Sequence, residues 1–269
     1  MSLKAYSVPS VERALTMLEF LAQSNRGFSI SEMSRKLGIP KSSTHLILGT
    51  LERRGFLRKN IQNGRYCFGL GLVGLSRNAL ENLDLREAAR PFLRSLVQKT
   101  GLTAHMAVLE RSEVVIIEKI QPPGAERLAT WIGRRLDVNC TGVGKALLAG
   151  LSQDEFERVI RARSFARHNS QTVISVNALK QEIARVRQLG YAFDDEEDEV
   201  GIRCVGALIF GEPRKGLAAI SVAGRTSQIP DERVPFLANT VIEMAARISE
   251  HLAKSRKFVA SVGVRDIGA

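Results

Sequence analysis

An α+β fold in two unequal parts is predicted by three observations. Residues 1–72 read as short amphipathic helices followed by a hairpin, residues 87–256 mix strand-like runs with capped helices, and a glycine-punctuated helical stretch over 73–86 joins them. The 269 residues, 44% hydrophobic and 25% charged, are globular in composition and more than one ordinary core holds comfortably. Residues 257–269 read as a tail.

In the first part, Ser10 is expected to cap a helix reaching Glu19 or beyond, because Val11, Ala14, Leu15, Leu18 and Leu21 recur at the spacing of one apolar face. After the break at Asn25, Arg26 and Gly27, Ser29 and Glu32 make a capping-box pair for a second helix that points Met33 and Leu37 inward and stops at Gly38. Ile39 plugs the core, and Pro40 suits the start of a third helix running to Arg54, with Leu46, Ile47, Thr50 and Leu51 on its buried side. A helix, a glycine turn and a second helix over about 30–49 make a helix-turn-helix unit. Beyond Gly55, "FLRKNIQNGRYCFGL" alternates about a polar "NIQNG" turn, which predicts a β-hairpin, or wing.

The charge distribution gives this part a partner. Residues 1–80 hold 12 of the 39 Lys and Arg but 4 of the 28 acidic residues, so they carry +8 of the net +11, while the rest has 27 basic against 24 acidic. Basic side chains clustered on such a unit are what phosphate-backbone binding needs, since each one that meets a phosphate releases condensed counterions. Double-stranded DNA is therefore the expected partner. Ser42, Ser43, Thr44 and His45 open the third helix with small polar groups able to reach base edges, and Lys41 and the first backbone N–H groups can hold a phosphate. Arg53 and Arg54 either flank the DNA or offset the helix dipole, and Lys59 and Arg65 flank the wing tip.

In the second part, "TAHMAVLE" and "EVVIIEKI" read as a hairpin turning at Arg111 and Ser112, with "RLATWIG" as a third strand. "TGVGKALLAG" opens a helix, "SQDEFERVIRA" and "SVNALKQEIARVRQLG" give two more, "GIRCVGALIF" and "GLAAISVAG" are buried strands, and a last helix spans about Asp231 to Lys254. An antiparallel sheet flanked by helices follows. A phosphate-loop reading of "NCTGVGKA" fails, because Asn139 and Ala146 stand where Gly and Ser or Thr are required. The same residues still offer either an anion site at a helix start or a plain tight turn against a neighbouring strand.

The motifs "SVERALTMLEFL", "ISEMSRKLGIPKSSTHLILGTLERRGFL" and "GRYCFGLGLVGL" resemble the IclR family of bacterial transcriptional regulators, and the resemblance extends from about Ser7 to Ala253. It implies a winged helix-turn-helix, a linker helix and a GAF-like effector-binding domain. It further implies an effector pocket with backbone donors at Gly142 and Val143, hydrogen bonds from Asp194 and Ser221, and a small contact from Cys204. Ala223 departs from relatives that carry Ser there to bind small keto acids. Trp131, Met106 and Ile202 are candidates for the apolar wall. A homodimer or homotetramer on operator DNA, modulated by a small carboxylate effector and controlling a catabolic operon, is the function this implies.

Other classes find less support. The acidic run Asp194 to Glu199 is expected to be a solvated loop rather than a metal site or acid/base pair. His45, His105, His168 and His251 lack ligand spacing, and Cys67, Cys140 and Cys204 are too dispersed for a disulfide framework or thiolate metal site. No catalytic group, cofactor or metal is therefore expected. The absence of an apolar run of about 18 residues argues against a membrane span, and the cysteine usage suits a reducing cytoplasm. An enzyme of small-acid metabolism and an architectural DNA-binding protein remain the competing classes; the first requires turnover dependent on Asp194, the second binding without sequence preference.

Overall fold

The computed structural model describes residues 7–24, 26–75, 84–125, 128–162, 164–211 and 216–254. They fall into two compact units that divide between Asn82 and Leu83. Residues 76–83 of the expected linker helix, and the expected tail 257–269, lie outside the described residues.

The first unit holds α1 (Pro9–Ala22), α2 (Ile30–Leu37), α3 (Lys41–Arg53), β1 (Leu57–Lys59) and β2 (Tyr66–Phe68), followed by helical residues 71–75. Helix α1 starts at Pro9 with Val8 as its cap residue and no side-chain cap, so Ser10 lies inside the first turn. Proline's fixed φ favours that first position. In α2 the capping box forms: Ser29 Oγ accepts from Glu32 N and Glu32 Oε2 accepts from Ser29 N. Gly38 ends the helix at φ 65°, a conformation that costs a side-chain-bearing residue energy. The core gathers Met17, Leu21, Met33, Ile39, Leu48, Leu57 and Tyr66. Strands β1 and β2 pair antiparallel, and Phe28 bridges to Tyr66 through two backbone hydrogen bonds of 3.1 and 2.8 Å, which joins the wing to the start of α2.

The second unit comprises α4 (Asp84–Thr100), β3 (Thr103–Glu110), β4 (Glu113–Ile120), β5 (Arg135–Leu136), α5 (Gly142–Ala149), α6 (Gln153–Arg161), α7 (Val176–Leu189), β6 (Ala192–Asp195), β7 (Ile202–Phe210), β8 (Gly216–Arg225) and α8 (Val234–Lys254). Its six-stranded antiparallel sheet runs in the order β5-β4-β3-β8-β7-β6. Side chains alternate between its faces. Ala104, Met106, Val205, Ala207, Ile220 and Val222 meet α4 and α8, whereas Ala107, Ala192 and Ala219 meet α5, α6 and α7. Of the expected strand "RLATWIG", residues 128–133 are instead a loop, and β5 comes after it, pairing with Val114 and Val115. The hairpin turns where expected, with Arg111 and Ser112 both at positive φ. Among the described residues no helix is long and apolar enough to cross a membrane.

Candidate functional site

Two surfaces carry the sequence-predicted residues, one in each unit. On α3, Lys41, Ser42 and His45 are exposed and Ser43 is partly so, presenting one polar edge at the helix start. Arg53 and Lys59 are also exposed. Thr44 is not available to bases: it is fully buried, and its hydroxyl donates to the Pro40 and Ile39 carbonyls at 3.1 and 3.4 Å. One residue in about three to four on a helix faces inward, and Thr44 shares that face with Leu48. Leu46, expected to be buried, is 70% exposed beside His45. Arg65 is committed within its own unit, donating to Glu32 Oε1 at 2.7 Å and to the Gly27 carbonyl at 3.0 Å.

The second surface is a partly open cavity on the α5 side of the sheet, with a volume of about 50 Å³. Strand register builds it in two rungs. Asp194, Cys204, Ala223 and Thr103 stand opposite one another on β6, β7, β8 and β3, and the next rung carries Ala192, Gly206, Ser221 and His105. Val143, Asp194, Cys204, Ser221 and Ala223 all line the cavity; Gly142 adjoins it, its N–H directed at the Cys204 sulfur. Thr141 caps α5 by accepting from Gly144 N at 3.1 Å, and the first N–H groups of α5 precede the intrahelical ladder. A Cβ added to Gly206 would lie 2.6 Å from the Gly142 carbonyl oxygen, so the absence of a side chain lets α5 start directly on β7. The anion-site and tight-turn readings of this segment therefore describe the same residues.

Burial sets the chemistry of this cavity. It pushes the Asp194 carboxyl up to about 8, against a hydrogen bond from Glu197 N and the nearby Lys145 charge, so the group is a protonated donor at neutral pH. Burial, joined by the Asp194 charge once that group ionises, raises the Cys204 thiol to about 12 and leaves it an uncharged contact. The Ser221 hydroxyl is buried beside the Cys204 thiol and makes no hydrogen bond to a nitrogen or oxygen, which marks a polar atom that a bound molecule would satisfy.

Among the lining residues that sequence reasoning missed are His105, Leu128, Thr130 and Arg134. His105 Nε2 meets Thr130 Oγ1 at 2.8 Å, and Lys119 Nζ donates to the Leu128 and Thr130 carbonyls at 3.2 and 2.7 Å, fixing the loop across the cavity mouth. Alternation along β3 was the available signal, since it puts His105 on the opposite face from Met106. Met106 belongs to the α4/α8 core and Trp131 is half exposed, so of the three expected apolar wall residues Ile202 alone lines the cavity.

His105 is buried, and burial together with the Lys119 and Arg134 charges lowers it from 6.5 to about 3. The unfolded chain therefore binds the proton that the folded chain refuses between those values. Stability of this unit is expected to fall as pH drops from 6.5 towards 3, by at most roughly 1.4 kcal/mol per pH unit from this group. A His105→Gln chain should show a shallower loss below pH 6.5 in urea melts; an unchanged slope would remove His105 as its source.

Residues 77–250 match the family described as bacterial transcriptional regulator IclR C-terminal, and residues 10–60 match the IclR helix-turn-helix domain. Over 244 residues the chain is 35% identical to the transcriptional repressor IclR of Escherichia coli (strain K12), covering 90% of this chain and 89% of that protein. It is 33% identical, with the same coverage, to the acetate operon repressor of Salmonella typhimurium (strain LT2). The crystal structure of the Thermotoga maritima IclR matches with a TM-score of 0.73 at 26% identity, covering 91% of this chain and 98% of that one.

Proposed function

The chain belongs to the IclR family of bacterial transcriptional regulators, and on that premise we propose that it is an effector-gated DNA-binding protein whose C-terminal cavity takes a small carboxylate. It is a regulator rather than an enzyme, as its relatives are. The observation that carries the effector reading is the buried Ser221 hydroxyl, with a thiol as its only polar neighbour, in a cavity that also presents a protonated Asp194 and the first turn of α5. Those groups are donors, and a carboxylate accepts from all three.

On DNA, Lys41, Ser42, Ser43, His45 and Leu46 enter the major groove, and Arg53 and Lys59 meet phosphates. Thr44 and Arg65 hold the reading unit in shape. Leu46 suits a thymine methyl. The chain works in the cytoplasm as a homodimer or homotetramer, so that two α3 helices meet the halves of a roughly palindromic operator beside a catabolic operon. The working parts are a winged helix-turn-helix over 1–72, a linker over 73–86, an effector domain over 87–256 and a tail over 257–269. An effector changes occupancy only by binding the DNA-competent and released arrangements unequally; a coupling of about 1–3 kcal/mol changes it 5- to 150-fold.

The test is binding of the full chain to its own upstream intergenic DNA across a salt series, with and without a panel of small carboxylic acids. Sequence-selective binding altered by one acid, and a response lost in Ser221→Ala and Asp194→Asn while DNA affinity without acid is kept, is the expected result. Selective binding that these two variants leave fully responsive would move the effector elsewhere. Absence of selective binding by the intact oligomer would end the regulator reading.

A further inference from the structure

Three segments of the second unit, around residues 137–140, 168 and 198, bring together side chains that are far apart in sequence. Asp137, Cys140 and His168 place their ligating atoms within 4.8 Å of one another. His168 Nε2 stands 2.9 Å from Asp137 Oδ2, and Cys140 Sγ stands 3.8 Å from Asp198 Oδ1. We propose that Asp137, Cys140, His168 and Asp198 form a binding site for a divalent transition ion of the zinc class.

The donor set selects the ion. One thiol, one imidazole and two carboxylates match tetrahedral zinc-type coordination, whereas magnesium and calcium take oxygen shells. Bonds of about 2.0–2.3 Å around a tetrahedral ion put neighbouring donors roughly 3.3–3.7 Å apart. The 2.9 and 3.8 Å pairs bracket that spacing, and the widest separation within the trio closes by about 1 Å.

The segments carrying these donors are already tied together. Thr172 Oγ1 accepts from His168 N and Asn169 N and donates to the Glu197 carbonyl, and Asn169 Nδ2 donates to the Glu196 carbonyl at 2.8 Å. Thr141 Oγ1 donates to the Asp137 carbonyl at 2.8 Å. Partners of this kind fix ligand orientation around an ion. Spacing alone concealed the set, since the donors lie 31 and 58 residues apart across the two close pairs.

On binding, the Cys140 S–H bond breaks, a sulfur–metal bond forms and the proton leaves to solvent; the ion likewise replaces the proton between His168 and Asp137. Binding therefore releases protons. Asp198 also lines the effector cavity, so the ion would hold one wall of that cavity to the start of α5. The site itself does not depend on the effector reading.

Chelator-treated full-length protein titrated with Co²⁺ alone tests it. One equivalent per chain, a thiolate-to-metal charge-transfer band in the near ultraviolet, intense tetrahedral visible bands, and displacement of both by Zn²⁺ are expected. Cys140→Ser removes the charge-transfer band, and His168→Ala weakens binding at least about 10-fold, with melting of each variant monitored by circular dichroism. Asp137→Asn, a near-isosteric change, gives the same weakening if either of those variants fails to fold. No charge-transfer band in the wild type, or an unchanged band and affinity in folded Cys140→Ser, His168→Ala and Asp137→Asn chains, overturns the assignment.

Discussion

A Lys145→Met chain is expected to lose about 3–5 kcal/mol from its C-terminal unit, the usual cost of removing one partner of a buried ion pair. Lys145 has no solvent exposure, and its ammonium donates to the Glu197 carboxylate at 2.5 Å, to Glu182 at 3.5 Å and to the Phe193 carbonyl. Burial already raises the Glu197 carboxyl despite that ammonium, which shows how little water helps it. Without the cation, Glu197 is left to ionise in a dry setting or to take a proton. The melting transition of this unit should fall by on the order of 10 °C. Adding Glu197→Gln should recover part of the loss, because an amide carries no stranded charge. If the single variant melts like the wild type, water reaches this pair and its burial is overstated; if the double variant is no better than the single, the cost is lost packing rather than charge.

Gly206→Ala is the second large expected effect. The new Cβ would stand 2.6 and 2.7 Å from the Gly142 carbonyl oxygen and carbon and 3.1 Å from Val143 N, so the backbone of α5 or β7 must move. Overpacking of this kind costs about 1–3 kcal/mol. The shift falls on the donors that a carboxylate would use, and the response of DNA binding to effector should disappear while DNA binding without effector persists. Electrophoretic mobility shifts with and without the active acid measure both at once. Retention of the full response would mean that the start of α5 is not part of the effector contact.

What the sequence disclosed follows the range of the interactions involved. The capping box at Ser29 and Glu32 and the stop at Gly38 are local, and both are present. The members of the cavity rungs were accessible through period-two alternation and family resemblance, yet their facing partners depend on register between strands 10 to more than 100 residues apart, such as Asp194 with Cys204 and His105 with Ser221. Leu46 was placed inside because its spacing from Ile47 and Thr50 fits a helical face as well as Thr44 and Leu48 do. Periodicity gives the width of a face but not its direction. The segment "RLATWIG" reads as a strand because its apolar content resembles one; the conformation of its residues 128–133 is set by Lys119 and His105 reaching in from β4 and β3, which no local pattern reports.

Glu32 has two duties that meet on one carboxylate: Oε2 caps the start of α2 and Oε1 holds Arg65 of the wing. Those bonds, with Ser29 foremost, keep its carboxyl below the usual range. Together with the Phe28–Tyr66 bridge, they couple the wing to the helix-turn-helix as a single part. A signal arriving from elsewhere in the protein then has little to gain by reshaping this part, since bending the wing would uncap a helix. In the proposed dimer, regulation would be left with position as its variable: each head would read the same bases in every state, and what would change is whether two heads stand the right distance apart to read them together.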